Sequence, residues 1–262
     1  MKNSIFILVV LISGLMGLTV YDVQYSDSGP SPWLGEIVEV TGVVTATGYD
    51  GDKWFMSDAE GGPWHGVYVF DWDHAVTPGE MVTITCEVDE YYDFTELKNI
   101  SAFASEPGGT LPDPYLVDCM DANDESMEGV LVTLEDVVVD SVISDGQWYI
   151  SDGTATLKVA NHFDYELVPD AGAELPSITG VIFYSWETYT LEPRFDEDID
   201  YEPAPPEFVS IHDIQYSTEG PSPYLDETVT VHGLVTAANF RGSNYFLSDP
   251  VSGPCNGLYV YD

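Results

Sequence analysis

Two stretches decide how this chain reads: VYDVQYSDSGPSPWLGEIVEVTGVVTA (20–46) and IHDIQYSTEGPSPYLDETVTVHGLVTA (211–237). They continue in step as WFMSDAEGGPWHGVYVFD (54–71) and YFLSDPVSGPCNGLYVYD (245–262). Residues 20–71 and 211–262 therefore align without a gap, with about half of the positions identical. A repeat of this length marks one structural unit used more than once. A divergent copy lies between them. GVLVTLEDVVV (129–139) has the strand pattern of residues 36–46, WYISDGTATLKV (148–159) matches WFMSD and its sequel, and ITGVIFYSWETYTLEP (178–193) matches ITCEVDEYYDFTELKN (84–99). The modules run over 20–105, 112–202 and 209–262, divided by the Pro-rich linkers EPGGTLPDP (106–114) and EPAPPE (202–207).

Within the first module the alternation is that of strands. Ile37 to Ala46 reads as one long strand, followed by a Gly/Asp turn. Trp54 to Ser57, Gly66 to Phe70, Met81 to Val88 and Phe94 to Ile100 read as four more, the last two joined by a short acidic turn. No amphipathic helix is expected beyond the N-terminal segment. Five short strands with a long connection after the third predict an all-β chain of tandem five-stranded OB-like Greek-key barrels; a small β-sandwich is the competing arrangement. The third module stops at Asp262, the counterpart of Asp71, and is expected to be incomplete, as in a fragment or a truncated product, or in a module completed by a partner strand.

Lys2 followed by the apolar run Ile5 to Leu18 predicts a signal peptide over 1–19 and a secreted, extracellular chain with no stable membrane insertion once the signal is removed. An uncleaved anchor is the alternative. The three cysteines, Cys86, Cys119 and Cys255, form no closed disulfide framework, and Cys86 falls on the core phase of its strand.

The chain carries 46 acidic side chains against six basic ones, a formal net charge of −40. Such a surface repels polyanions and attracts cations. It lacks the clustered Lys and Arg of an ordinary nucleic-acid footprint. Asp118, Asp121 and Asp124, with Glu125, form an oxygen-rich cluster that suits calcium, although it lacks the spacing of a calcium-binding loop. A solvated charge run is the plainer reading. The five histidines form no pair at metal-ligand spacing. No nucleophile elbow, phosphate loop or zinc-protease helix occurs, so no catalytic residue is assigned and the chain is read as a non-enzyme.

The most repeated element is aromatic–aromatic–aliphatic–Ser–Asp, at Trp54 to Asp58, Trp148 to Asp152 and Tyr245 to Asp249. Neighbours on a strand face opposite ways. Trp54, Trp148 and Tyr245 share one face and are candidates to stack a ligand ring, while Phe55, Tyr149 and Phe246 share the other. The aspartate is expected to cap the turn that follows it.

The motifs DIQYS (213–217), GPSPYLDETVTVHGLVTA (220–237), YFLSD (245–249) and GLYVYD (257–262), their twins in the first module, and TLEPRFDEDI (190–199) resemble the OB-like modules of secreted bacterial nucleases, the YhcR-type endonuclease N-terminal family. The resemblance implies non-catalytic modules that engage single-stranded nucleic acid, with hydrolysis performed by a separate domain beyond residue 262. The alternatives are a polysaccharide ligand, or acidic structural and adhesive spacers stiffened by calcium.

Overall fold

The structure is a computed structural model that describes residues 17–143, 146–201, 208–218, 220–251 and 253–262. The chain divides into two compact units, Met1–Tyr201 and Glu202–Asp262. The residues expected to form the leader lie outside the described residues up to 16. Leu18 and Thr19, placed in that leader by the sequence, belong to the first barrel: Leu18 is buried in its core, and Thr19 caps a short helix. No helix among the described residues is long and apolar enough to cross a membrane.

The first barrel is built from β1 (Ile37–Tyr49), β2 (Lys53–Ser57), β3 (Gly66–Val69), β4 (Met81–Glu90) and β5 (Thr95–Glu106). β1 pairs with β4 through its first half and with β2 through its second. β2 then pairs with β3, β3 runs parallel to β5, and β5 returns antiparallel to β4. The ring closes in the order 1-2-3-5-4-1, the connectivity of an OB-like barrel. The second barrel repeats it with β6 (Leu131–Val142), β7 (Trp148–Ser151), β8 (Thr156–Val159), β9 (Glu174–Ser185) and β10 (Thr188–Glu192). Ring closure rules out the sandwich for these two barrels. One strand can serve both neighbours because β1 is bulged beyond Val44 and again beyond Thr47, which bends it around the barrel.

Each barrel buries its own core. In the first, Val40, Val44, Trp54, Met56, Val67, Ile84 and Leu97 are buried together; in the second, Leu134, Val139, Trp148, Ile150, Leu157 and Ile178. A third cluster joins the two. Ala46, Tyr49, Phe55, Tyr68 and Phe94 of the first barrel pack on Leu131 and Val181 of the second. Polar bonds cross the same seam. Trp64 N donates to Ser126 O (2.6 Å), Asp50 N to His162 O (2.9 Å), and the Arg194 guanidinium, held by two bonds to Asp198, to Thr45 O (3.1 Å).

Two five-residue helices precede barrel strands, α1 (Val20–Gln24) and α2 (Ile211–Gln215), where no helix is expected from sequence. Each spans little more than one turn, too short to show a 3.6-residue period. Each is held from both ends. Thr19 and Ser210 cap the N-termini, and the aspartate of the Ser–Asp motif receives the first helical N–H groups. Gln24 Nε2 donates to Gly66 O (2.6 Å) and also to Glu128 O of the second barrel (3.2 Å).

The second unit contains α2 and a three-stranded sheet, β11 (Leu234–Phe240), β12 (Asn244–Ser248) and β13 (Gly257–Val260). These are the counterparts of β1 to β3. Leu234 and Val235 are each 59% exposed, whereas their counterparts Val43 and Val44 are fully buried.

Gly66 shows how close the two barrels lie. A Cβ there would fall well inside contact distance of Gly129 C and O and of Val130 N, all backbone atoms that cannot swing aside. Gly66→Ala is therefore expected to destabilise the first unit by about 1–3 kcal/mol through overpacking. Thermal unfolding of the full chain measures this; an unchanged midpoint would show that the seam is looser than described.

Candidate ligand-binding cleft between the barrels

The rings expected to stack a ligand are not available for it. Trp54 and Trp148 are fully buried, each in its own barrel core. Their indole N–H groups are used internally, Trp54 Nε1 donating to Asp71 Oδ2 (3.2 Å) and Trp148 Nε1 to Tyr165 OH (3.3 Å). The opposite face is covered too, since Phe55 lies in the seam. Tyr245, in the position of Trp54, is half-buried in the second unit, on the sheet face shared with Leu247.

The acidic cluster is likewise spent locally. Asp118 Oδ1 accepts from Asp121 N (2.8 Å), and Asp124 Oδ1 accepts from Ser126 N and Oγ, so these carboxylates shape two 3-10 turns. Among the described residues no three His, Cys, Asp or Glu side chains converge as a metal site. His65 Nδ1 bonds to Asp58 (2.9 Å) and His74 Nδ1 to Asp71 (3.1 Å).

A different set of side chains meets in a cleft of about 600 Å³ above the seam. Three turns form it: the β1–β2 turn (Tyr49, Asp50, Lys53), the β4–β5 hairpin tip (Tyr91 to Phe94) and the β9–β10 hairpin tip (Ser185 to Glu187). Tyr68, Phe94 and Phe183 line the floor. Trp186 is 90% exposed and Tyr92 is 72% exposed. Their rings lie nearly parallel, 19° apart with centroids at 6.2 Å, one contributed by each barrel. Asp50, Asp93, Glu96 and Glu187 stand around them, with Lys53 and His162 as the basic groups. Burial raises the Glu96 carboxyl above its ordinary range. His162 bonds through Nδ1 to the fully buried Glu192 (2.8 Å), and the bond raises the imidazole, while burial raises Glu192.

The two hairpin tips are unusual in the same way. Both are two-residue loops whose central residues, Tyr92-Asp93 and Trp186-Glu187, have positive φ between 51° and 64°. Such loops favour Asn and Gly, because a bulky side chain in the left-handed region is strained. Here the strained positions hold the most exposed rings of the cleft. Strain of order 1–3 kcal/mol per residue is held against the fold at these tips. The repeat alignment carried this signal, since Tyr92-Asp93 and Trp186-Glu187 fall at the same place in matched copies.

A smaller pocket of about 270 Å³ adjoins the cleft through the shared residues Asp93 and Tyr184. Glu90, Glu125 and Glu128 complete its acidic lining. Glu128 is buried, and its Oε1 has no hydrogen-bond partner among the described residues. Burial foremost, with the charges of Glu90, Glu125 and Asp93, pushes its carboxyl up to about 9.

No family model matches the chain, and no curated protein matches it either. Among solved structures, it is similar to the p204 HINb domain, with 14% identity over 58% of this chain and 90% of that one, at a TM-score of 0.33. The Ifi202 HINa domain in complex with 20bp dsDNA gives 14% identity over 59% and 90% of the two chains, at a TM-score of 0.31. A murine DNA binding protein bound with ds DNA gives 12% over 59% and 92%, also at 0.31. The fold is defined by the strand pairing of the two closed barrels. The class that fold and site define is a tandem of OB-like barrels with an aromatic, acid-rimmed cleft between the first two.

Glu128 gives the site a pH signature. Its folded value lies above the usual carboxyl range, so the folded state holds a proton that the unfolded chain releases. The stability this provides is fully present below about pH 4.3 and is lost as pH rises toward about 9. Glu128→Gln should raise stability at pH 8 and flatten that decline, as measured by urea unfolding at several pH values. An unchanged slope would show that Glu128 ionises freely.

Proposed function

We propose that this chain is a secreted, non-catalytic binding protein whose first two barrels hold a neutral saccharide in the cleft between them. The observation that carries this reading is the exposed Trp186–Tyr92 pair, with one ring from each barrel and a carboxylate beside each. The cleft is formed from the β1–β2 and β4–β5 turns, the loops through which OB barrels engage oligonucleotides and oligosaccharides. Planar rings offer apolar faces to a sugar ring, while Asp93, Glu187 and Asp50 accept hydrogen bonds from hydroxyls. Four carboxylates against one lysine disfavour a phosphate backbone at the same place.

Single-stranded nucleic acid is the second reading. The location of the cleft on the ligand loops of the barrel and the resemblance to nuclease modules favour it, with bases stacking on the same rings. The two readings separate by charge. Nucleic-acid binding weakens steeply as salt rises, and saccharide binding does not.

The decisive variant is Trp186→Asn, because Asn relieves the left-handed strain while removing the ring. Titration of the full chain with cellohexaose and chitohexaose, and separately with an oligo-dT strand with and without magnesium, should show saccharide binding insensitive to salt. Trp186→Asn should weaken it about tenfold or more, roughly 1.4 kcal/mol, while the thermal midpoint holds or rises. Binding of oligo-dT alone would replace the saccharide reading with the second. Binding of neither would reject both.

A further inference from the structure

We propose that the outer sheet face of the second unit is a docking surface for another OB-like barrel of the kind formed by residues 115–200. Four features of the first unit that meet its second barrel recur in the second unit, where that barrel has no counterpart among the described residues.

The first is aromatic. Tyr49, Phe55 and Tyr68 form a triad with centroids 5.2 to 5.8 Å apart, buried against the second barrel. Their counterparts Phe240, Phe246 and Tyr259 form the same triad at 5.1 to 6.0 Å, yet Phe240 and Tyr259 are exposed. The second is a glycine. Gly66 is required by the close approach of Gly129 and Val130, whereas at its counterpart Gly257 the nearest atom to an added Cβ is 4.0 Å away and φ is not positive. Among the described residues of the second unit, nothing calls for glycine there. The third is Gln215, which donates to Gly257 O (2.9 Å) as Gln24 donates to Gly66 O; Gln24 also reaches Glu128 O across the seam. The fourth is backbone strain. Trp64 (φ 69°) turns its N–H onto Ser126 O of the second barrel, and Cys255 keeps that left-handed conformation (φ 64°).

These features share one explanation, a barrel seated on the second unit as the second barrel sits on the first. The occupant has the chemistry of residues 115–200, a barrel offering an apolar patch like Leu131, Val181 and Phe183. A second copy of this chain is a poor occupant, because its own second barrel is already covered by its first.

The test appends residues 72–201 to Asp262 of the full chain and follows amide exchange in Leu234–Phe240 and Gly257–Val260. Docking predicts protection rising by at least a hundredfold. It also predicts that Gly257→Ala lowers that protection about tenfold or more in the extended chain and leaves the unextended chain unchanged. Protection that rises but ignores Gly257→Ala would mean that the sheet closes without receiving a barrel, which overturns the proposal. So would unchanged exchange, or self-association of the unextended chain, seen by sedimentation and abolished by Phe246→Asp.

Discussion

One carboxylate in each module ties the lead-in segment to the barrel. Asp58 accepts from Val20 N (2.9 Å) and Tyr21 N (2.8 Å), Asp152 from Cys119 N (2.8 Å), and Asp249 from Ile211 N (3.1 Å) and His212 N (2.9 Å). Hydrogen bonds to a charged acceptor contribute about 1.5–3 kcal/mol each. In the first module this bond sets the position of α1. α1 in turn carries Gln24 to the seam, and the seam places the hairpin tips of two barrels side by side. The cleft therefore depends on a bond made at the far end of the motif. Asp152 hydrogen-bonds the turn that follows it, at Thr154, as sequence suggested; Asp58 and Asp249 reach back some forty residues instead.

The acidity of the chain acquires a distribution as well as a total. Some carboxylates are structural acceptors, at helix starts, at 3-10 turns and beneath His65, His74 and His162. Others crowd the cleft and its neighbouring pocket, where Glu128 is held protonated by burial and by its acidic neighbours. A site of this character favours ligands that donate hydrogen bonds or carry positive charge, and it keeps polyanions at a distance.

The repeat, the strand order and the closed barrels were legible in the sequence, because alternation and turn residues recur in register. The facing of the Trp54 strand was not. Period-two alternation assigns residues to two faces but does not say which is inside when both are covered, and here Trp54 fills the barrel while Phe55 fills the seam. The seam itself joins residues far apart in sequence, such as Trp64 with Ser126 and Thr45 with Arg194, and no local pattern reports such a pairing. The cleft was half legible. Its Tyr92 and Trp186 stood aligned in the repeat, but they occupy turn positions where Asn or Gly is the usual residue, so they passed as connectors. The short helices escaped for want of length, and the Asp118 cluster misled because sequence proximity does not distinguish a turn cap from a ligand set.

In the proposed saccharide complex the ligand meets the rings at the hairpin tips and not those in the cores. The six indole N–H resonances of the full chain, followed by NMR during saccharide titration, report on this directly. A large shift is expected for Trp186, with Trp54 and Trp148 unmoved. Shifts at Trp54 or Trp148 with Trp186 silent would contradict it.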